Sequence, residues 1–202
     1  PRVGSFYIDL NGYASVSSVV TRLFGDTDSA AVVLFGGDLN RAGGSLSLWW
    51  RKDAERGLYA VLHGAASTVL NADVSALHRA EADALPATWG GGRLGVRGEN
   101  LFNGNLDIDL AVRGRAWTEF LGRAFIPSAA VFALPDPSTA TIIPASGTVD
   151  FLLEATLQDR ARLFLVYENA LAGSAYDGAF TVPVHPILAR RFRFGVFWTL
   201  FG

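Results

Sequence analysis

From Phe6 onward the chain alternates. Phe6, Ile8, Leu10, Gly12, Ala14 and Val16 share one parity, and Tyr7, Asp9, Asn11, Tyr13, Ser15 and Ser17 share the other. The pattern returns at Leu106, Ile108, Leu110 and Val112, which oppose Asp107, Asp109, Arg113 and Arg115. It returns at Val149, Phe151, Leu153 and Ala155 against Thr148, Asp150, Glu154 and Thr156. In the closing residues Phe192, Phe194, Val196, Trp198 and Leu200 oppose Arg191, Arg193, Gly195, Phe197 and Thr199. Successive side chains of a β-strand point to opposite faces, so this is the signature of strands with one hydrocarbon face and one charged or mixed face. A helix cannot set charges at every second residue against unbroken hydrocarbon. The alternation predicts about nine strands, over 4–23, 30–40, 45–52, 57–70, 92–101, 105–118, 147–158, 161–171 and 189–201. Parity is ambiguous within 30–40 and 161–171, where Ala30 to Phe35 and Leu163 to Val166 are apolar on both faces.

Counted back from the C-terminus, the connections run long at 172–188, short at 159–160, long at 119–146, short at 102–104 and long at 71–91. Upstream lie Asp53-Ala-Glu-Arg56, Arg41-Ala-Gly-Gly44 and Gly25-Asp-Thr-Asp28, all short. Strand parity places the three long connections on one side, as in transmembrane barrels with long outer loops and short periplasmic turns. The short turn at 41–44 is the one departure. Phe120 to Ile143 carries Pro127, Pro135 and Pro137, with Pro144 just beyond. Prolines discourage continuous pairing, so this stretch is expected to be a lid or ligand-contact loop. Trp89 and Trp117 fall toward outer strand ends, and Trp49, Trp50 and Trp198 toward inner ends, as two interfacial aromatic belts would require. With nine strands and a periplasmic C-terminus, the first strand runs inward, so the wall is expected to be incomplete. The chain starts at Pro1 and holds no methionine, and it is expected to be a piece of a longer protein. Residues 1–202 form a single β-barrel segment on this reading, with no plug domain visible.

Composition narrows the picture. The chain is 202 residues, 50% hydrophobic and 18% charged, with a formal net charge of -2. No uninterrupted apolar run reaches the roughly 18 residues of a membrane helix; even Leu58 to Leu70 is broken by His63, Gly64, Ser67 and Thr68. A lipid-facing sheet or a large soluble core would account for such hydropathy. The balanced charge gives no electrostatic footprint for nucleic acid. Absence of cysteine excludes disulfides, thiol catalysis and Cys-ligated metals. Abundant glycine and phenylalanine suit a barrel.

Candidate chemistry is sparse. Gly90-Gly-Gly-Arg-Leu-Gly95 satisfies G-x-G-x-x-G, yet it stands between a loop and an alternating strand rather than at a strand-to-helix junction, which predicts a turn. His63, His78 and His185 are far apart and do not suggest zinc. Asp107 and Asp109 lie about 7 Å apart on one strand face, close enough for an acid–base pair. The alternation instead places them in a charged lumen, neutralised by Arg113, Arg115 or neighbours, and Arg193 is expected to join the same lumen ion pairing. No Ser–His grouping supports a barrel hydrolase. The chain is therefore predicted to be no enzyme and to carry no cofactor.

The strings Tyr167-Glu-Asn-Ala-Leu171, Tyr176 and Arg191-Phe-Arg-Phe-Gly-Val-Phe-Trp-Thr-Leu-Phe201 resemble the C-terminal end of TonB-dependent outer-membrane receptors. There the penultimate strand often ends in a Glu-Asn-Leu-like segment, a Tyr follows, and an Arg opens the last strand. Glu99-Asn-Leu-Phe102 repeats a similar string, and Ile142-Ile-Pro-Ala-Ser-Gly-Thr-Val-Asp150 also fits, so the resemblance covers mainly 92–202. It implies an all-β, antiparallel transmembrane β-barrel in a Gram-negative-type outer membrane, with a periplasmic C-terminus. It implies that Phe194, Gly195, Val196, Trp198, Leu200 and Phe201 form a C-terminal signal for the barrel-assembly machinery, with Gly202 after Phe201 a departure. It further implies wall function in a transporter that takes up a ligand, powered through TonB. The family's plug and TonB-contacting box are not recognisable, and its barrel of about 22 strands exceeds this chain. The expected partners are thus outer-membrane lipid and lipopolysaccharide, the assembly machinery, and an upstream segment or other chain completing the barrel. A scaffold subunit of a larger outer-membrane complex, without transport, is the alternative, and a soluble closed barrel would share the alternation.

Overall fold

The computed structural model describes residues 4–25, 30–53, 56–71, 76–126, 131–134, 141–173, 180–182, 185–186 and 189–198. In chain order the elements are β1 (Ser5–Gly25), β2 (Ala30–Arg51), β3 (Arg56–Val69), α1 (Ala76–Asp83), β4 (Thr88–Asn100), α2 (Leu101–Gly104) and β5 (Leu106–Trp117). Then come β6 (Phe120–Leu121), β7 (Ala124–Ile126), β8 (Val131–Ala133), β9 (Ile142–Ile143), β10 (Ser146–Leu157), β11 (Ala161–Glu168), β12 (Phe180–Val182), β13 (His185–Pro186) and β14 (Arg191–Trp198). The fold is all-β and antiparallel: one 8-stranded sheet runs β1-β2-β3-β4-β5-β10-β11-β14, an uninterrupted meander. Short two-stranded ladders, β6–β9, β7–β8 and β12–β13, sit within the long connections. Among the described residues β1 and β14 are paired on one side only.

The turn expected at Arg41–Gly44 does not exist. Arg41 pairs with Ser15 and Val69, and Gly43 with Tyr13 and Ser67, all inside β2. Glycine here serves close approach: a Cβ on Gly43 would stand 2.7 Å from the Ala66 carbonyl oxygen and 2.8 Å from the Tyr13 ring. Merging the two expected strands leaves eight in the sheet, so β1 begins at the end where β14 finishes. The parity ground for an incomplete wall falls away with the ninth strand. The exception to the loop pattern disappears too. One end of the sheet carries 52–55, 101–105 and 158–160; the other carries 70–87, 118–145, 169–190 and the tip of the β1–β2 hairpin. That hairpin continues past Arg41, where β3 pairing stops, to Gly25↔Ala30. Gln158 and Asp159, at φ 52° and 55°, make the doubly left-handed turn of a tight hairpin. Phe102 and Asn103, at φ 51° and 62°, make α2 a left-handed turn rather than a helix. The Gly25–Asp28 turn, Pro127, Pro135, Pro137, Tyr176, Leu200 and Phe201 lie outside the described residues, wholly or in part.

Register fixes the faces. Val96, Leu110 and Leu153 stand in one row, as do Leu94, Val112 and Phe151. The row pattern extends through Leu58, Leu62, Leu46 and Leu48 to Ile8 and Leu10, and on the other side through Leu163 and Leu165 to Phe194 and Val196. The ambiguity of 161–171 resolves by pairing, with Arg162, Phe164, Val166 and Glu168 on the opposite face. Arg56, at the edge of the short-turn end, is a charged residue on the apolar face, and it donates to the backbone carbonyls of Glu99 and Asn100. The hydrocarbon is open: Leu10 is 76% exposed and Phe194 71%. Contiguous exposed apolar surface on this scale marks a surface built for contact with something other than water. The nearest thing to a conventional core is small and sits at the long-connection end, where Leu39, Ala80, Ala84, Ala133, Leu134 and Ile143 are buried. Among the described residues no helix is long and apolar enough to cross a membrane.

Candidate functional site: the charged face of the sheet

Every second residue of β4, β5, β10, β11 and β14 faces away from the hydrocarbon, and antiparallel pairing sets these residues side by side. Arg93 pairs with Arg113, and Arg113 with Asp150. Asp150 and Glu168 lie one step beyond the Phe151↔Tyr167 pair, and Glu168 pairs with Arg191. Toward the long-connection end, Arg113 donates Nε and Nη2 to Oδ2 of Asp150 at 2.9 and 2.7 Å. Arg115 approaches the same oxygen at 3.9 Å and donates Nε to Thr148 Oγ1 at 3.3 Å. The other oxygen of Asp150 accepts the backbone N–H of Asn169 at 2.9 Å. Asp150 is 2% exposed, and a buried carboxylate persists as a charge only when paired and hydrogen-bonded in this way. Glu168 accepts Arg191 Nε at 2.7 Å and Arg193 Nη2 at 2.9 Å.

Toward the short-turn end the pairing is one to one. Arg162 meets Glu154 at 2.5 Å and Arg97 meets Glu99 at 2.8 Å, while Arg93, from the row of Arg113, reaches along the face to Asp109 at 3.2 Å. Tyr59 donates its hydroxyl to Asp109 at 2.6 Å, and the Arg93 guanidinium lies 5.6 Å from the Tyr59 ring centre. Asp107 accepts the backbone N–H of Asn100 at 2.7 Å. Three aromatic rings lie against the same face, each over a glycine directly across the ladder: Tyr13 over Gly43, Tyr59 over Gly95 and Phe164 over Gly195.

Asp107, Asp109, Arg113, Arg115 and Arg193 therefore share one face, and of the partners expected for the two aspartates it is a neighbour, not Arg113 or Arg115, that meets Asp109. Asp109 pairs with Arg93 and Asp107 with a backbone amide, because Arg113 stands four residues, about 13 Å, along the strand from Asp109 and opposite Asp150 instead. Arg93, Asp150, Glu168 and Tyr59 were not singled out by sequence; their signal was the alternation itself, since Arg93 and Asp150 both flank apolar residues of fixed parity. Gly90-Gly-Gly-Arg-Leu-Gly95 is a piece of β4 rather than a turn, and Gly91 and Gly95 give room to neighbouring side chains. The two-belt reading of the tryptophans also needs correction. Trp89 pairs with Trp117 on the charged face, and Trp49 lies there too, leaving Trp50 and Trp198 on the apolar face. Of the expected assembly signal, Phe194, Val196 and Trp198 are on the apolar face and Gly195 on the other.

His63 meets the Trp89 ring edge-on at 5.7 Å, and His78 is buried in α1. Among the described residues no group of His, Cys, Asp and Glu is placed to hold a metal ion. A cleft of about 460 Å³ opens at the long-connection end, with Arg41 and Ser67 on one wall and Arg79, Asp83, Glu119 and Phe120 on the others. The stretch expected as a lid contributes Phe120 and Ile142 to it, and it is partly ordered into the β6–β9 and β7–β8 ladders rather than wholly irregular.

The family model described as "Putative porin" matches residues 97–202. No curated protein and no solved structure matches the chain.

Proposed function

We propose that this chain, which belongs to the "Putative porin" family, forms wall of a transmembrane β-barrel in the outer membrane, with its apolar face against lipid and its ion-paired face toward a water-filled lumen. The observation that carries this reading is the partition of the eight strands. Hydrocarbon lies exposed on one side, and nearly every charge lies on the other, in ion pairs that cross the strands. Ionisable groups in hydrocarbon are expensive, whereas outward apolar and inward polar residues alternate in membrane barrels. Family membership is consistent with an outer-membrane transport or scaffold role.

An unpaired sheet edge cannot face lipid. In the membrane the edges of β1 and β14 are therefore closed, by each other or by strands from another segment or chain. The long connections point outward on this reading and the C-terminus lies in the periplasm, since outer loops of such barrels are the longer ones. Lipid and lipopolysaccharide contact the wall, and the assembly machinery reads β14. Function is passive: lumen charges and outer loops choose solutes. The finer receptor reading, TonB-powered uptake of a ligand, rests on the C-terminal strings alone and requires a plug to gate the pore.

Spin labels at positions 108 and 109 test the partition. The label at 108 should be quenched by an apolar, lipid-dissolved relaxant and the label at 109 by a polar one; equal responses would sink the assignment. A scaffold role is separated from transport by the absence of conductance in reconstituted bilayers.

A further inference from the structure

Charge on the polar face is uneven along the strands. Toward the long-connection end each of two carboxylates is shared by two guanidiniums: Asp150 by Arg113 and Arg115, and Glu168 by Arg191 and Arg193. Each cluster carries surplus positive charge. Toward the short-turn end Arg97 and Arg162 are matched singly by Glu99 and Glu154, Asp109 is met by Arg93 reaching from the Arg113 row, and Asp107 adds a carboxylate held by a backbone amide. On β4, β5, β10, β11 and β14 the face is thus positive toward one end and negative toward the other.

Asp150 has little capacity left for its second arginine. One oxygen is occupied by the Asn169 amide, and the other already holds two donors of Arg113. Arg115 is left with contacts at 3.3 and 3.9 Å, and its side chain is 52% exposed. Arg193 on the second cluster is equally open. Beside Arg115 in the register stands Gly91, with His63 beyond it. The space a Gly91 side chain would take is filled by His63 Nε2 and the Arg115 stem, which seats the Arg115 guanidinium on this face. A planar guanidinium with unspent donors matches the paired oxygens of a carboxylate or phosphate, and surplus charge in a confined passage raises the local concentration of counter-ions.

We propose, resting on the barrel-wall reading above, that this end of the charged face is an anion station. Carboxylate or phosphate groups of the solute meet Arg115 and Arg193, and the pore prefers anions to cations. Planar bilayers holding the reconstituted protein under a KCl gradient test it. The reversal potential should lie on the chloride side, and added inorganic phosphate should reduce the chloride current. Arg115→Gln combined with Arg193→Gln should move the reversal potential toward the potassium side and weaken the phosphate effect, while Arg115→Lys, which keeps the charge, should leave its sign unchanged. Potassium preference in the unaltered protein, or a reversal potential unmoved in the double variant, overturns the anion station and leaves the wall reading standing. Absence of any current from correctly folded protein overturns the channel reading itself.

Discussion

Replacing Leu110 with arginine puts a guanidinium near the centre of the apolar face. Leu110 stands on β5 between Val96 of β4 and Leu153 of β10, and it is 51% exposed. At about 3.4 Å per residue it lies roughly 14 Å along the strand from Leu106 and roughly 24 Å from Trp117. A tilt of about 40° converts these into heights of roughly 10 and 18 Å, so Leu110 sits within about 4 Å of the middle of an apolar band about 25 Å tall. Arginine at that depth costs about 2–4 kcal/mol. In a soluble sheet the same half-exposed site would tolerate the change within about 0.5 kcal/mol, because the guanidinium would reach water. Reversible urea unfolding from phospholipid vesicles, followed through the fluorescence of the five tryptophans, measures the difference. Leu110→Ala serves as the control that removes hydrocarbon without adding charge. A loss for arginine no larger than that for alanine would refute lipid contact of this face.

Three further outcomes are expected. Gly95→Leu should cost about 1–3 kcal/mol by overpacking, since a Cβ there meets the Tyr59 ring at 2.5 Å, whereas Gly114→Ala, with nothing within 4 Å, should be neutral or slightly stabilising in the same unfolding assay. Asp150→Asn should destabilise by about 1–3 kcal/mol, because it leaves Arg113 and Arg115 without a counter-charge; an unchanged midpoint would mean the pair contributes nothing. Trypsin added to intact cells should cut after Arg123, in the long connection, before Arg160, in the short turn, although both are exposed; the reverse order would invert the topology.

The two faces were legible in the sequence because a period of two survives wherever a strand separates unlike surroundings, as in Leu106–Val112. Strand boundaries were not, because glycine carries two meanings. Arg41-Ala-Gly-Gly44 and Gly90-Gly-Gly92 have the composition of turns, yet both lie within strands, where the missing side chain makes room for a neighbour. Ion-pair partners were illegible for a related reason: periodicity assigns a face, and only register decides whether Asp109 meets Arg93 or Arg113. The short α1 was taken for loop because helices of this length depend on packing rather than propensity, and that packing comes from elements distant in the chain.

Face alternation has a blind spot that the rings over glycine remove. A slip of one residue turns a strand inside out, but a slip of two returns every side chain to its proper face and leaves the hydrophobic pattern satisfied. Tyr59 moved by two would meet Arg93 or Arg97 in place of Gly95, and its hydroxyl would leave Asp109. Tyr13 would meet Arg41 or Ser45 in place of Gly43, and Phe164 would meet Arg193 or Phe197 in place of Gly195. Each ring is a key with one notch on the facing strand. A hairpin assembling in lipid, where burial alone cannot tell a correct pairing from one displaced by two, carries its own positional mark.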